Sequence, residues 1–238
     1  MAARPPRWLR QAVVYAAAYA AYGASRWLVI GDRATAIGHA HAIAGLETRL
    51  GIAIEATVQR ALRGTAAMWP LDQAYLAAQV LVVPAALVWL YRRHRPAYRR
   101  LRDTVLATWL LSLPVVWVFP VAPPRLAQPR VVDTITRQTG VALDSRLATS
   151  LYNPLAAMPS LHCGFAFAVS VALANTAARP WTRLLALVWA PLIFLAVVAT
   201  GNHFVTDIAG GVAVTILGFA VTNPRRQRAR GAPATWPV

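Results

Sequence analysis

The sequence predicts an all-α membrane protein: a bundle of six transmembrane helices with an amphipathic helix at its outer interface. Three observations lead there. Of 238 residues, 58% are hydrophobic and only 13% charged, and mean hydropathy is +0.47, a composition foreign to a soluble domain of this size. Crossing about 30 Å of hydrocarbon takes roughly 20 apolar residues in a helix. Six segments qualify: 11–30, 69–91, 104–121, 156–176, 181–200 and 204–222. The third observation is charge placement. With a cytoplasmic N-terminus, one side collects 15 of the 24 arginines (positions 4, 7, 10, 92, 93, 95, 99, 100, 102, 179, 183, 225, 226, 228 and 230) against Asp103 alone. This positive-inside bias assigns the net charge of +16 to topology and anionic headgroups, not to nucleic acid.

The chain reads as one domain over 1–238, its core running from about 11 to 222 between basic tails. Segment 11–30 has the basic start and small-residue end of a signal peptide, Gly23-Ala24-Ser25, but is read as a retained helix. Residues 36–63 place Ile43, Leu46, Leu50, Ile54, Val58 and Leu62 at spacings of three and four, with Glu55, Gln59 and Arg63 on another face. That pattern predicts a helix lying on the outer interface, broken at Gly51. His39 and His41 in its approach read as solvated interfacial residues rather than metal ligands. Trp69 at one end of the second span and Trp89 with Tyr91 at the other mark aromatic belts. A short basic loop, 92–103, leads to the third span, which tolerates Pro114 inside a bundle. Residues 121–155 form the longest connection, and Gly201-Asn202-His203 joins the last two spans as antiparallel neighbours. The lone Cys163 excludes an intrachain disulfide. The absence of lysine points to a GC-rich, bacterial genome.

The chemistry gathers at one depth. Arg125 follows the third span, His162 opens the fourth and His203 opens the sixth, and topology puts all three boundaries on the extracytoplasmic side. His203 and Asp207 stand four apart, so on a helix the carboxylate orients the imidazole. Ionisable groups in spans are costly and mark function. The set suits phosphoryl transfer from a lipid phosphate: helix N-termini at His162 and His203 offer N–H groups to an anion, Ser160 offers a hydroxyl, and Arg125 a bidentate fork. Each residue also has a plainer role. His203 and Asp207 can cap a helix, Arg125 can anchor to headgroups, Ser160 can be an N-cap, and Gly210, Gly211 and Gly218 can serve close packing. Tyr152, Asn153 and Glu47 are further lining candidates.

Pro159-Ser160-x-His162 followed by His203-x-x-x-Asp207, with an arginine motif upstream, resembles the type-2 phosphatidic acid phosphatase superfamily. Pro-x-Ala-Pro-Pro-Arg at 120–125 and Gly-Asn-His-Phe-x-x-Asp-x-x-Gly-Gly at 201–211 look like its inositol phosphorylceramide synthase-like branch. The resemblance implies metal-independent transfer through a phosphohistidine, with no cofactor: His203 as nucleophile, Asp207 its partner and His162 the acid. Two departures stand out. Val118 replaces a lysine of the superfamily's first motif, and Ala196-Val197 replace a Ser-Arg pair of its third. Phosphate binding then falls to Arg125, to helix ends, or to Arg130, Arg137 or Arg146. The expected partners are a lipid phosphate or phospholipid, the membrane and an alcohol acceptor if the enzyme is a transferase. Oligomeric state is not encoded. Rival readings are a bis-histidine haem protein using His162 and His203, and a proton-coupled transporter.

Overall fold

A computed structural model describes Val13, Ala17 and residues 32–143, 145 and 153–223. Apart from those first two positions, the span expected at 11–30 lies outside the described residues, as do both basic tails. The rest is helical: α1 (Arg33–Leu50), α2 (Glu55–Leu62), α3 (Met68–Arg93), α4 (Arg95–Val118), α5 (Pro124–Ala127), α6 (Thr134–Thr139), α7 (Leu161–Thr176), α8 (Pro180–Ala199) and α9 (Val205–Val221). Among the described residues there is no strand, only an isolated bridge between Val121 and Ala156.

Three helices, α3, α4 and α8, are long and apolar enough to cross a membrane. Helices α7 and α9 are apolar but shorter, at 16 and 17 residues, so three of the six expected spans reach membrane-crossing length among the described residues, and the first of the six lies outside them. The physical reason lies at the helix starts. The stretch from Ala156 to Ser160 is not helical and bends at Met158 and Pro159, with the Ala157 N–H bonded to the Val121 carbonyl at 3.0 Å, and α7 begins only once Ser160 caps it. The opposite happens at 92–103, where the expected loop is helical from Arg95 and His94 alone separates α3 from α4. Bulky apolar side chains cover the outer faces, Val80 being 74% and Leu184 62% exposed, as befits contact with lipid. Trp69 and Trp117 mark one rim, Trp89 and Trp181 the other.

Helix α7 is the hub, packing against α8, α9, α4 and α3. Glycines let it approach α9. A Cβ on Gly211 would overlap the Ser160 carbonyl, and one on Gly164 would sit 2.6 Å from Thr215 Oγ1. Gly218 likewise closes α9 onto α4, where a Cβ would be 2.9 Å from Thr108 Oγ1. The small-residue stripe thus brings backbones together, and with them the two ends that carry the histidines.

The outer helix breaks at Gly51, in left-handed conformation with φ 72°, as the sequence predicts. Its orientation is the surprise. Glu47, Glu55 and Gln59 are buried, while Leu50 and Ile54 face outward. Glu55 and Gln59 of the polar face, with Glu47, satisfy backbone groups inside, while Arg63 of that face stays exposed. Gln59 donates to the Val132 and Ala199 carbonyls at 2.9 and 3.0 Å and accepts from the Val132 N–H at 2.8 Å. His39 and His41 are likewise structural, donating to the Pro120 and Ala127 carbonyls at 2.8 and 3.0 Å. They clamp α1 to the segment bearing Arg125.

Candidate active site

Four connections deliver the site. Helix α8 ends in a turn whose Gly201 has φ 71° and no room for a Cβ beside Val131, a position only glycine fills without strain. The turn folds back so that the Asn202 and His203 N–H groups both donate to the Val197 carbonyl, at 3.0 and 3.2 Å. The Gly201 carbonyl accepts from the Arg125 N–H at 2.9 Å, which fixes the arginine motif against the histidine motif. On the other flank, the Ser160 N–H donates to the Asp207 carbonyl at 3.0 Å, joining the start of α7 to the first turn of α9.

His162 and His203 face one another, ring centroids 6.0 Å apart and planes inclined by 54°. His203 Nδ1 donates to Asp207 Oδ2 across 3.3 Å, which fixes the tautomer and leaves Nε2 with its lone pair. Asp207 is fully buried, and the same oxygen accepts from the Phe204 N–H at 2.9 Å. Tyr75 of α3 stacks on His162, with centroids 4.2 Å apart. Arg125, its side chain only 1% exposed, donates from Nε to Asn202 Oδ1 at 3.0 Å and lies 3.7 Å from Asp133. That burial rules out a headgroup anchor reaching for solvent.

These groups enclose a cavity of about 100 Å³ walled by Arg125, Asn202, His203 and His162, with Tyr75 and Gln79 of α3 and Trp109 and Ser112 of α4. Asp207 stands behind His203, off the wall. Ser160 is buried, lies off the wall too, and caps α7 by accepting from the Cys163 N–H at 3.3 Å. Arg130 and Arg137 are exposed and away from the cavity; Arg146 and Tyr152 lie outside the described residues. Asn153 lines the cavity. Val118 is exposed, whereas Ala196 and Val197 are buried in the apolar core, so no cation stands at those places.

One sequence expectation needs correcting. The N-terminus of α9 is not open to an anion, because three carboxyls occupy its first N–H groups: Asp207 takes Phe204, Glu55 takes Val205 at 3.1 Å and Glu47 takes Thr206 at 2.7 Å. Sequence reasoning also missed Tyr75, Gln79 and Asn202. Gln79 carried a signal, an amide in the middle of an apolar span, whereas Tyr75 resembled any belt aromatic.

Paired imidazoles, one backed by a carboxylate, and a buried guanidinium thus line one small cavity on a helical scaffold. A family model described as the PAP2 superfamily matches residues 41–221. The chain belongs to that superfamily, which places it among phosphatase-type enzymes. No curated protein and no solved structure matches it.

Proposed function

We propose that the protein is an integral membrane phosphatase or phosphotransferase that acts on a lipid phosphate or phospholipid headgroup through a phosphohistidine. The observation that carries the reading is the facing pair of imidazoles, 6.0 Å between centroids, with Asp207 behind His203 alone. A phosphorus atom between them meets a nucleophile on one side and an acid on the other. His203 Nε2 attacks phosphorus, the bond to the leaving oxygen breaks, and His162 gives that oxygen its proton. Asp207 stabilises the positive charge that develops on His203. His162 then takes a proton from water or an alcohol, whose oxygen attacks phosphorus and frees His203. Arg125, held by Asn202, neutralises the phosphoryl oxygens.

A lipid substrate is supported by the place of the cavity, beside α3 and α4, whose outer faces are apolar. In the proposed topology six spans cross the membrane, both termini are cytoplasmic and the site faces outward. The Pro-x-Ala-Pro-Pro-Arg sequence and the two missing cations favour the synthase-like branch, and with it an alcohol acceptor. Turnover against lipid phosphates and phospholipids, with EDTA present and with or without added alcohols, tests this. Phosphate release or transfer that persists in EDTA, with label retained on His203 after an alkaline quench, is the expected result. Label that survives His203→Ala, or activity abolished by EDTA, overturns it.

A further inference from the structure

We propose that Glu47 and Glu55 form a proton-sharing carboxyl pair that positions the His203–Asp207 couple, an inference resting on the function proposed above. The break at Gly51 lets both side chains reach one target from consecutive helices. Glu47 Oε1 accepts from the Thr206 N–H at 2.7 Å and from Thr206 Oγ1 at 2.9 Å, and Glu55 Oε1 accepts from the Val205 N–H at 3.1 Å. Glu47 is 0% and Glu55 1% exposed. The residues they hold come two and three positions after His203, so the pair fixes the first turn of α9, beside which the imidazole projects.

Neither carboxyl has a cationic partner among the described residues, and the second oxygen of Glu47 is buried without a hydrogen bond from any donor. Glu55 lies beside it. Two neighbouring buried carboxylates resist double ionisation, and a proton held between them satisfies both. Burial and the Glu55 carboxyl push Glu47 up to about 8. From α9, the titratable groups facing the pair are Asp207 and, bonded to it, His203. From α5, Arg125 is turned to Asn202 and Asp133. Helix α8, packed against α2, brings only the Ala199 carbonyl side, its Arg183 being at the far end. Losing the shared proton sets two like charges against Asp207 and loosens the turn.

The test is kcat and KM from about pH 6 to 10 for the full chain in detergent micelles with a lipid phosphate. The parent's kcat falls above about pH 8. Glu47→Ala and Glu55→Ala lose about 100-fold in kcat, the cost of misplacing a reacting group by about 1 Å, with KM little changed. Glu47→Gln and Glu55→Gln, which keep the hydrogen-bonding shape, recover most of kcat and lose the alkaline fall. Gln variants with the parent's alkaline limb, or folded Ala variants with the parent's kcat, overturn the proposal. Should the Ala variants not fold, the Gln variants decide. A parent that turns over no lipid phosphate overturns the function and this inference together. A parent that does so, with unaffected variants, overturns the inference alone.

Discussion

The backbone N–H of Ser160 donates to the carbonyl of Asp207 at 3.0 Å, so the residue that caps the helix of His162 is bonded to the residue that orients His203. The two histidine motifs, 41 positions apart by their histidines' numbers, are thereby held as one unit. Their 6.0 Å separation depends on main chain as well as side chains.

Substituting the side chains at that junction removes the reaction and leaves the fold. His203→Ala, His162→Ala and Asp207→Asn are each expected to lower kcat by at least about 10²- to 10⁴-fold, the range of a single acid–base group. Thermal unfolding in detergent should shift little. The check is single-turnover phosphate release with a matched melting curve, and a His203→Ala variant with parental turnover would disprove the assignment.

The glycines separate packing from chemistry. Gly211→Ala drives a methyl into the Ser160 carbonyl, whereas a Cβ on Gly210 would meet Pro159 at an ordinary 3.4 Å. The first should cost about 1–3 kcal/mol, as overpacking does, and reduce activity by parting the imidazoles. The second should be near neutral. Melting temperature and kcat of the two variants, measured side by side, decide it.

Much of this was legible in the sequence, and the parts that were not share a cause. Arg125, His162, His203 and Asp207 are marked by spacing and by being ionisable at the edge of apolar runs, and the structure brings all four together. The break at Gly51 is equally plain. The inward turn of Glu47, Glu55 and Gln59 is not, because periodicity shows that two faces differ without showing which one meets protein. Here the N–H groups of α9 and the carbonyls of Val132 and Ala199 claim the polar face. The helical stretch after His94 and the late start of α7 were hidden for a related reason: hydropathy reports what lipid tolerates, while a helix's ends follow caps and tertiary bonds.

Arg125 depends on its neighbours. Arg125→Lys keeps the charge but loses the planar fork that reaches Asn202, and Asn202→Ala removes one of the restraints on the guanidinium. Both should lower kcat/KM, Arg125→Ala most, by about 2 kcal/mol or more, as for a lost charge-assisted bond. Asn202→Ala should fall between Arg125→Ala and the parent. Initial rates at subsaturating lipid phosphate measure the order.

Stability should decline with rising pH. A carboxyl whose folded value lies above its unfolded one keeps, in the folded protein, a proton that the unfolded chain has released. For Glu47 the window runs from 4.5 to about 8, so its contribution is full below the window, is lost across it, and levels off above. The melting midpoint of the parent should drop between these limits and that of Glu47→Gln should drop less. Parallel curves for the two would refute the shared proton.

Gln59 tests the role of the outer helix in folding. Gln59→Leu strands the buried Ala199 carbonyl, at a cost of about 1–3 kcal/mol, unpairs the part-buried Val132 carbonyl and N–H, and should lower the melting temperature by more than any exposed substitution on α2. Denaturant or heat unfolding followed by circular dichroism reports it.

Helix α3 carries a π-helical turn at Ala78–Val82, directly below Tyr75 and containing Gln79. Such a turn accommodates a surplus residue within an otherwise α-helical run. The half of α3 that stacks on His162 and the half bearing Trp89 are therefore phased separately, so shortening the turn by one position would rewind it to ordinary pitch, leave both faces aimed as before, and withdraw the amide from the cavity floor.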